Sequence, residues 1–313
     1  MEYILLIIGF VFLIKGADFF VDGASSIAAK LKVPSLIIGL TIVSLGTSLP
    51  EAAVSVTSSL AGSNDLSIGN VIGSNIFNLL VVVGVSSVIL PIMTDNDILK
   101  RDMPINLGLT VALLVMLLDG QLSRIESILL LVLMVAYIAL LVWSALKNRT
   151  EGDEEQKILS WPKSIVFIIV GAAAIIAGGN FVVDSAQKIA LSLGMEESLV
   201  ALTVVALGTS LPELVTSIVA AKKGDSGIAM GNVVGSSIFN IVFILGLAGT
   251  ISPMAVAPTF VIDTAILIGV CVMMWIFAFT KKKTGRIEGA ICLAAYAAYM
   301  AYIIMRNYHV WIF

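Results

Sequence analysis

Charge is scarce in this sequence. Asp, Glu, Lys and Arg make up 12% of its 313 residues, about half the share found in soluble domains, and the mean hydropathy is +1.07. A water-soluble globule is excluded. There is one histidine, His309, and there are two cysteines, Cys271 and Cys292. One imidazole near the end of the chain rules out a histidine relay or a histidine metal site. Two thiols inside apolar runs read as small core- or lipid-facing residues rather than a disulfide. With a net charge of −3 no basic domain exists to hold a nucleic acid.

Apolar runs, by contrast, are abundant, and they have the length of about 17–25 residues that crosses a bilayer. Ten are expected, over 3–29, 35–61, 66–92, 102–119, 124–146, 163–189, 197–221, 227–251, 259–280 and 286–305. The fold class this implies is all-α, a polytopic membrane protein of ten transmembrane helices. The first run follows Glu2 rather than a basic segment and exceeds signal-peptide length, so it is expected to be a retained span. The mixed-charge stretch 147–162 reads as a solvated linker between an N-terminal unit, 1–146, and a C-terminal unit, 163–313. With ten spans, 14 of the 18 Lys and Arg residues collect on one side. Basic residues mark the cytoplasmic face. A cell-membrane protein with both termini extracellular and a cytoplasmic linker is expected.

The two units repeat one another. Offset by 162 residues, 16–91 aligns with 178–253 without a gap, and 31 of the 76 positions are identical, far beyond coincidence. Matches concentrate in G-T-S-L-P-E (46–51 and 208–213) and in G-N-V-x-G-S-x-I-F-N (69–78 and 231–240). Five spans separate equivalent helices. Five is odd, so equivalent helices cross in opposite directions, which makes the halves inverted-topology repeats.

Each G-T-S-L-P-E puts a proline inside an apolar helix, where it removes a hydrogen bond and clashes with the preceding turn. Broken helices near the midplane are expected, with freed carbonyls lining a cavity. A glutamate, Glu51 or Glu213, follows each proline directly. A carboxylate there costs at least about 2.5–3.5 kcal/mol, and two close together repel. A protonated, mutually bonded pair would be the structural alternative, but other oxygens surround both acids. Thr47 and Ser48 lie four and three residues before Glu51, a spacing that shares one helix face; Thr209 and Ser210 repeat this before Glu213. Ser74 and Asn78, with Ser236 and Asn240, add two further pairs four apart. Oxygen-only chemistry suits hard cations, and flexible coordination suits Ca²⁺ and Na⁺ better than Mg²⁺. Two carboxylates balance one Ca²⁺ or two Na⁺.

These doubled motifs resemble the α-repeats of the Ca²⁺/cation antiporter superfamily, most of all prokaryotic sodium/calcium exchangers, over nearly the whole chain. The resemblance implies a Na⁺/Ca²⁺ antiporter that works by alternating access, with net charge moved per cycle, no enzymatic activity and no cofactor. It implies that Glu51, Glu213, Thr47 and Thr209 surround Ca²⁺. Ser48, Ser210, Ser74 and Ser236, with the carbonyls of Ser44 and Ala206, would complete flanking Na⁺ sites, and Asn78 and Asn240 would be polar partners. Asn240 stands where some relatives, potassium-dependent ones among them, carry aspartate, which weakens a K⁺-cotransport reading. H⁺ in place of Na⁺ is the alternative coupling ion. A monomer is expected. Lys15, three residues from Asp18 and without a counterpart in the second half, lies outside the symmetric site.

Overall fold

The computed structural model describes residues 2–147, 158–193 and 208–307. Its helices are α1 (Glu2–Leu31), α2 (Ser35–Thr47), α3 (Leu49–Leu60), α4 (Asn64–Ile89), α5 (98–117), α6 (Arg124–Lys147), α7 (Trp161–Ser192), α8 (Leu211–Lys222), α9 (Ser226–Ile251), α10 (Pro258–Lys281) and α11 (Arg286–Asn307). Seven of them are long and apolar enough to cross a membrane, and α2 with α3, bent by 48° at their junction, form an eighth candidate. The other two expected spans are α5, which carries Lys100, Arg101 and Asp102 in its first turns, and the short α8, whose preceding residues lie outside those described.

Two very short antiparallel ladders complete the all-α fold. Strand β1 (Ile92–Met93) pairs with β4 (Lys283–Thr284), and β2 (Gln121–Leu122) pairs with β3 (Met254–Ala255). Adding 162 to β1 gives β3, and adding it to β2 gives β4. Ladder Ile92–Thr284 therefore maps onto ladder Met254–Leu122, as a twofold relation between the halves requires. Helices obey the same offset: α3 maps onto α8, the start of α4 onto the start of α9, and the start of α6 onto the start of α11.

The core sits in α4 and α9. Of their most apolar windows 72% and 78% of residues are buried, against 22% in α6 and 17% in α11. Peripheral helices instead turn Ile125, Val132, Val135 and Trp143 outward, as side chains facing lipid tails would. Helix α1 lies along α7, and glycines set their separation. A Cβ on Gly178 would stand 2.7 Å from the carbonyl oxygen of Gly9, and one on Gly16 would stand 2.9 Å from that of Gly171. Small residues let membrane helices approach this closely. Both cysteines are buried and unpaired.

Among the described residues four stretches wind as π-helix: Gly39–Val43 in α2, Asn78–Val82 in α4, Ile98–Asp102 in α5 and Asn240–Leu245 in α9. Nothing in the hydrophobic pattern announces them. Turns of this kind widen a helix and recur at functional sites.

Candidate functional site

The break between α2 and α3 falls at Ser48, with φ −84° and ψ 7°. Pro50 follows in the first turn of α3, and Pro212 likewise in the first turn of α8. The break expected in the first half is there, but each proline stands in the first turn of a helix rather than in a helix interior. A new helix starts just before each one, and its first turn has no use for the missing N–H. The break also corrects the shared helix face of Thr47 and Glu51, since Thr47 ends α2 while Glu51 lies in α3. Glu51 and Glu213 each occupy the first turn of their helix, where the helix dipole favours an anion.

Both carboxylates are fully buried. The Ser210 hydroxyl donates to Glu51 Oε1 at 3.0 Å, and the Ser48 hydroxyl donates to Glu213 Oε1 at 3.0 Å. Ser210 is also 3.1 Å from Ser74, and Ser236 is 3.5 Å from Glu213 Oε1. The second oxygen of each acid, Oε2, is buried without a partner among the described residues, as are Thr209 Oγ1, Asn240 Oδ1 and both amide atoms of Asn78. A buried polar atom left unpaired costs about 1–3 kcal/mol, and more when charged. Five oxygens and one nitrogen without a partner among the described residues, gathered around two acids, make a donor set suited to a hard cation.

Thr47 reaches across to the second half, where its side chain lies beside Glu213. Its hydroxyl contacts the carbonyls of Val43 at 3.2 Å and Ser44 at 3.3 Å, and reaches Asn232 Oδ1 at 2.9 Å. The Ser44 carbonyl also accepts from the Ser48 amide at 3.1 Å and the Ser236 hydroxyl at 3.4 Å. Ala206 falls outside the described residues. Of the twelve side chains or carbonyls read from the sequence, the acids, Ser48, Ser74, Ser210 and Ser236 thus converge directly in a hydrogen-bonded cluster.

Asn70 and Asn232 were not singled out in that reading, although both stand second in the repeated G-N-V segment. Asn70 Nδ2 donates to the backbone carbonyl of Glu51 at 3.1 Å and to Ser55 at 2.9 Å. Asn232 Nδ2 does the same for Glu213, at 3.3 Å, and Ser217, at 3.0 Å. They tie the helix bearing each acid to α4 or α9. Identity between the halves was the signal that could have found them.

A cavity of about 300 Å³ adjoins the cluster, with Asn70, Ser74 and Thr209 in its wall together with Asp65 and the pair Asp263–Arg306. Asp263 accepts from Arg306 at 2.8 and 3.1 Å. The other ionised groups serve the scaffold. Lys223 bonds Asp22 at 2.6 Å and lies 3.5 Å from Asp18, fastening α1 to the end of α8. Lys15 is 3.9 Å from Asp18 and mostly exposed, so Asp18 has its nearer cation in Lys223 rather than Lys15. Arg101 forms paired bonds of 2.9 Å with the buried Asp102, which also accepts from Tyr137.

Residues 1–143 and 163–305 match the family model described as sodium/calcium exchanger protein. Among known proteins, the chain is 35% identical over 308 residues to the inner membrane protein YrbG of Escherichia coli, with 95% of each chain covered. It is 34% identical over 340 residues to the sodium/calcium exchanger MaX1 of Methanosarcina acetivorans, covering 96% of this chain and 97% of that one. A solved structure of the sodium-calcium exchanger NCX_Mj superposes with a TM-score of 0.85 at 34% identity, covering 96% of this chain and 98% of the other.

Proposed function

We infer that this chain, which belongs to the sodium/calcium exchanger protein family and is thus a multi-pass cation/Ca²⁺ antiporter and not an enzyme, couples Ca²⁺ export to Na⁺ entry. The observation that carries this reading is the pair of fully buried carboxylates, each with one oxygen unpartnered among the described residues, ringed by hydroxyls from both halves. Two negative charges balance one Ca²⁺ or two Na⁺, so one set of ligands holds either cargo and the two compete. That competition is what exchange requires. Ca²⁺ takes 6–8 oxygens in flexible geometry, and Glu51, Glu213, Thr47 and Thr209 are assigned to it. Ser48, Ser74, Ser210, Ser236 and the carbonyls of Ser44 and Ala206 are assigned to Na⁺, with Asn78 and Asn240 beside them.

The ten-span, inverted-repeat arrangement belongs to this proposal, with units 1–146 and 163–313 joined by 147–162. Two observations support it. Helices and strands recur at the offset of 162 residues, including the breaks at Ser48 and Ser210. Loops assigned to one face also touch one another: 92–93 meets 283–284, and 121–122 meets 254–255. The same assignment places both termini outside the cell and the linker in the cytoplasm. Exchange of more than two Na⁺ per Ca²⁺ moves net charge, worth about 2.3 kcal/mol per charge per 100 mV. The protein is taken to work as a monomer.

An unpartnered carboxylate oxygen also accepts a proton, so H⁺/Ca²⁺ exchange is the second reading. Purified protein in liposomes separates them: ⁴⁵Ca²⁺ uptake is measured under Na⁺, K⁺ and H⁺ gradients in turn. Uptake driven by Na⁺ alone is expected. Uptake indifferent to Na⁺ and driven by a pH gradient would replace Na⁺ by H⁺ as the coupling ion.

A further inference from the structure

We propose that Asn75 is a positioning residue that fixes Asn240 as an oxygen donor to the transported cation; the proposal rests on the cation site at Glu51 and Glu213. The amide of a buried asparagine has two ends of nearly equal shape and opposite polarity, and its neighbours decide which end faces where. Here that decision begins at a group with no choice. The backbone carbonyl of Ser237 can only accept, and Asn75 Nδ2 donates to it at 3.0 Å. Asn75 Oδ1 must then face the other way, where it accepts from Asn240 Nδ2 at 3.0 Å. Asn240 is left presenting Oδ1, which is buried and has no partner among the described residues.

That oxygen belongs beside the ion. The backbone N–H of Asn240 bonds to the carbonyl of Ser236, so Asn240 stands one turn from Ser236, whose hydroxyl is 3.5 Å from Glu213 Oε1. An amide turned the other way would aim two N–H groups at a cation. Holding the correct end forward needs no charge, only a fixed acceptor at the start of the chain of bonds.

The symmetry of the halves breaks at this point. An offset of 162 pairs Asn240 with Asn78 and Asn75 with Ser237. The Ser237 hydroxyl donates to its own helix, to Val233 O at 2.9 Å, and both amide atoms of Asn78 lack partners among the described residues. Among the described residues, one asparagine of the pair is thus oriented by a neighbour and the other is not. In an otherwise twofold site, Asn240 carries the fixed oxygen.

A double-mutant comparison tests this, with initial rates of ⁴⁵Ca²⁺ uptake into proteoliposomes and Ca²⁺ titration of the purified protein. Asn75→Leu should raise the KM for Ca²⁺ about tenfold, the scale of one lost charge-assisted contact, and leave the maximal rate within about twofold. Asn240→Asp supplies a carboxylate with two equivalent oxygens and no wrong end. In that background Asn75→Leu should change KM less than about twofold, because only coupled residues depart from additivity. An equal rise in both backgrounds would overturn the proposal and leave Asn75 as a tie between helices. Should Asn75→Leu fail to fold, Asn75→Ser, the residue at the paired position, makes the same comparison. Ca²⁺ uptake retained in Glu213→Gln would overturn the site itself. Uptake lost there while Asn75→Leu matches wild type would overturn only the role of Asn75.

Discussion

The hydroxyl of Ser48 donates to the carboxylate of Glu213, at 3.0 Å, and not to its own helix. Ser48 stands three residues before Glu51 at the start of α3, the serine-x-x-glutamate spacing of a capping box. Neither Ser48 nor Ser210 makes a side-chain cap. Each serine instead serves the glutamate of the opposite half, so neither carboxylate has its full set of partners until both halves are in place.

Glu51→Gln and Glu213→Gln should each lower Ca²⁺ uptake at least about a hundredfold. Each removes one of two charges from a site shielded from water, where a unit charge is worth more than the ~2.7 kcal/mol that a hundredfold represents. The amide keeps the shape and still accepts from Ser210 or Ser48, so thermal melting in detergent should change little.

Because the serine–glutamate bonds cross between halves, Ser48→Ala should couple to Glu213 rather than to Glu51. A hydrogen bond to a charged group is worth about 1.5–3 kcal/mol, so Ser48→Ala alone should weaken Ca²⁺ affinity about tenfold or more. Added to Glu213→Gln it should cost much less. Coupling of Ser48 to Glu51 in a binding cycle would contradict the crossed arrangement.

Lys15→Ala should leave flux within about twofold, since an exposed pair near 4 Å contributes at most about 1 kcal/mol. Lys223→Met should do more. It cuts the 2.6 Å bond to Asp22 and the 2.9 Å bond to the Asp18 carbonyl that fasten α1 to the core. The expected signs are an altered ⁴⁵Ca²⁺ uptake rate and faster reaction of a maleimide with a cysteine placed at Ser25, on the freed stretch of α1. Identical rates for both variants would show that this fastening is idle.

Gly178→Val should destabilise the α1–α7 contact by about 1–3 kcal/mol through overpacking, because even its Cβ meets backbone at 2.7 Å. Gly269→Ala, where a Cβ meets nothing within 4 Å, should be neutral or stabilising, as alanine is the better helix former. Melting temperatures in detergent compare the two directly.

Most of the scaffold was legible because a bilayer imposes simple rules. Span length, glycine-rich helices and a repeat with no gap over 76 positions are one-dimensional signals. Glu51 and Glu213 were legible for the same reason, since a carboxylate in an apolar run demands an explanation. The face shared by Thr47 and Glu51 was misread because counting in fours assumes an unbroken helix, and the chain breaks at Ser48. The π-helical turns at Asn78 and Asn240 left no trace in hydropathy, because a change of winding alters geometry and not composition.

By itself, the sequence determined that the chain lives in a membrane, that it is built twice, and that its chemistry is two carboxylates amid hydroxyls. Those follow from composition and spacing. Tertiary structure decided which half serves which. Ser48 meets Glu213, Ser210 meets Glu51, Thr47 meets Asn232, and Asn75 orients Asn240. All four contacts join residues more than 150 positions apart. A repeat states that two segments are alike, but only their packing against each other states which atoms meet.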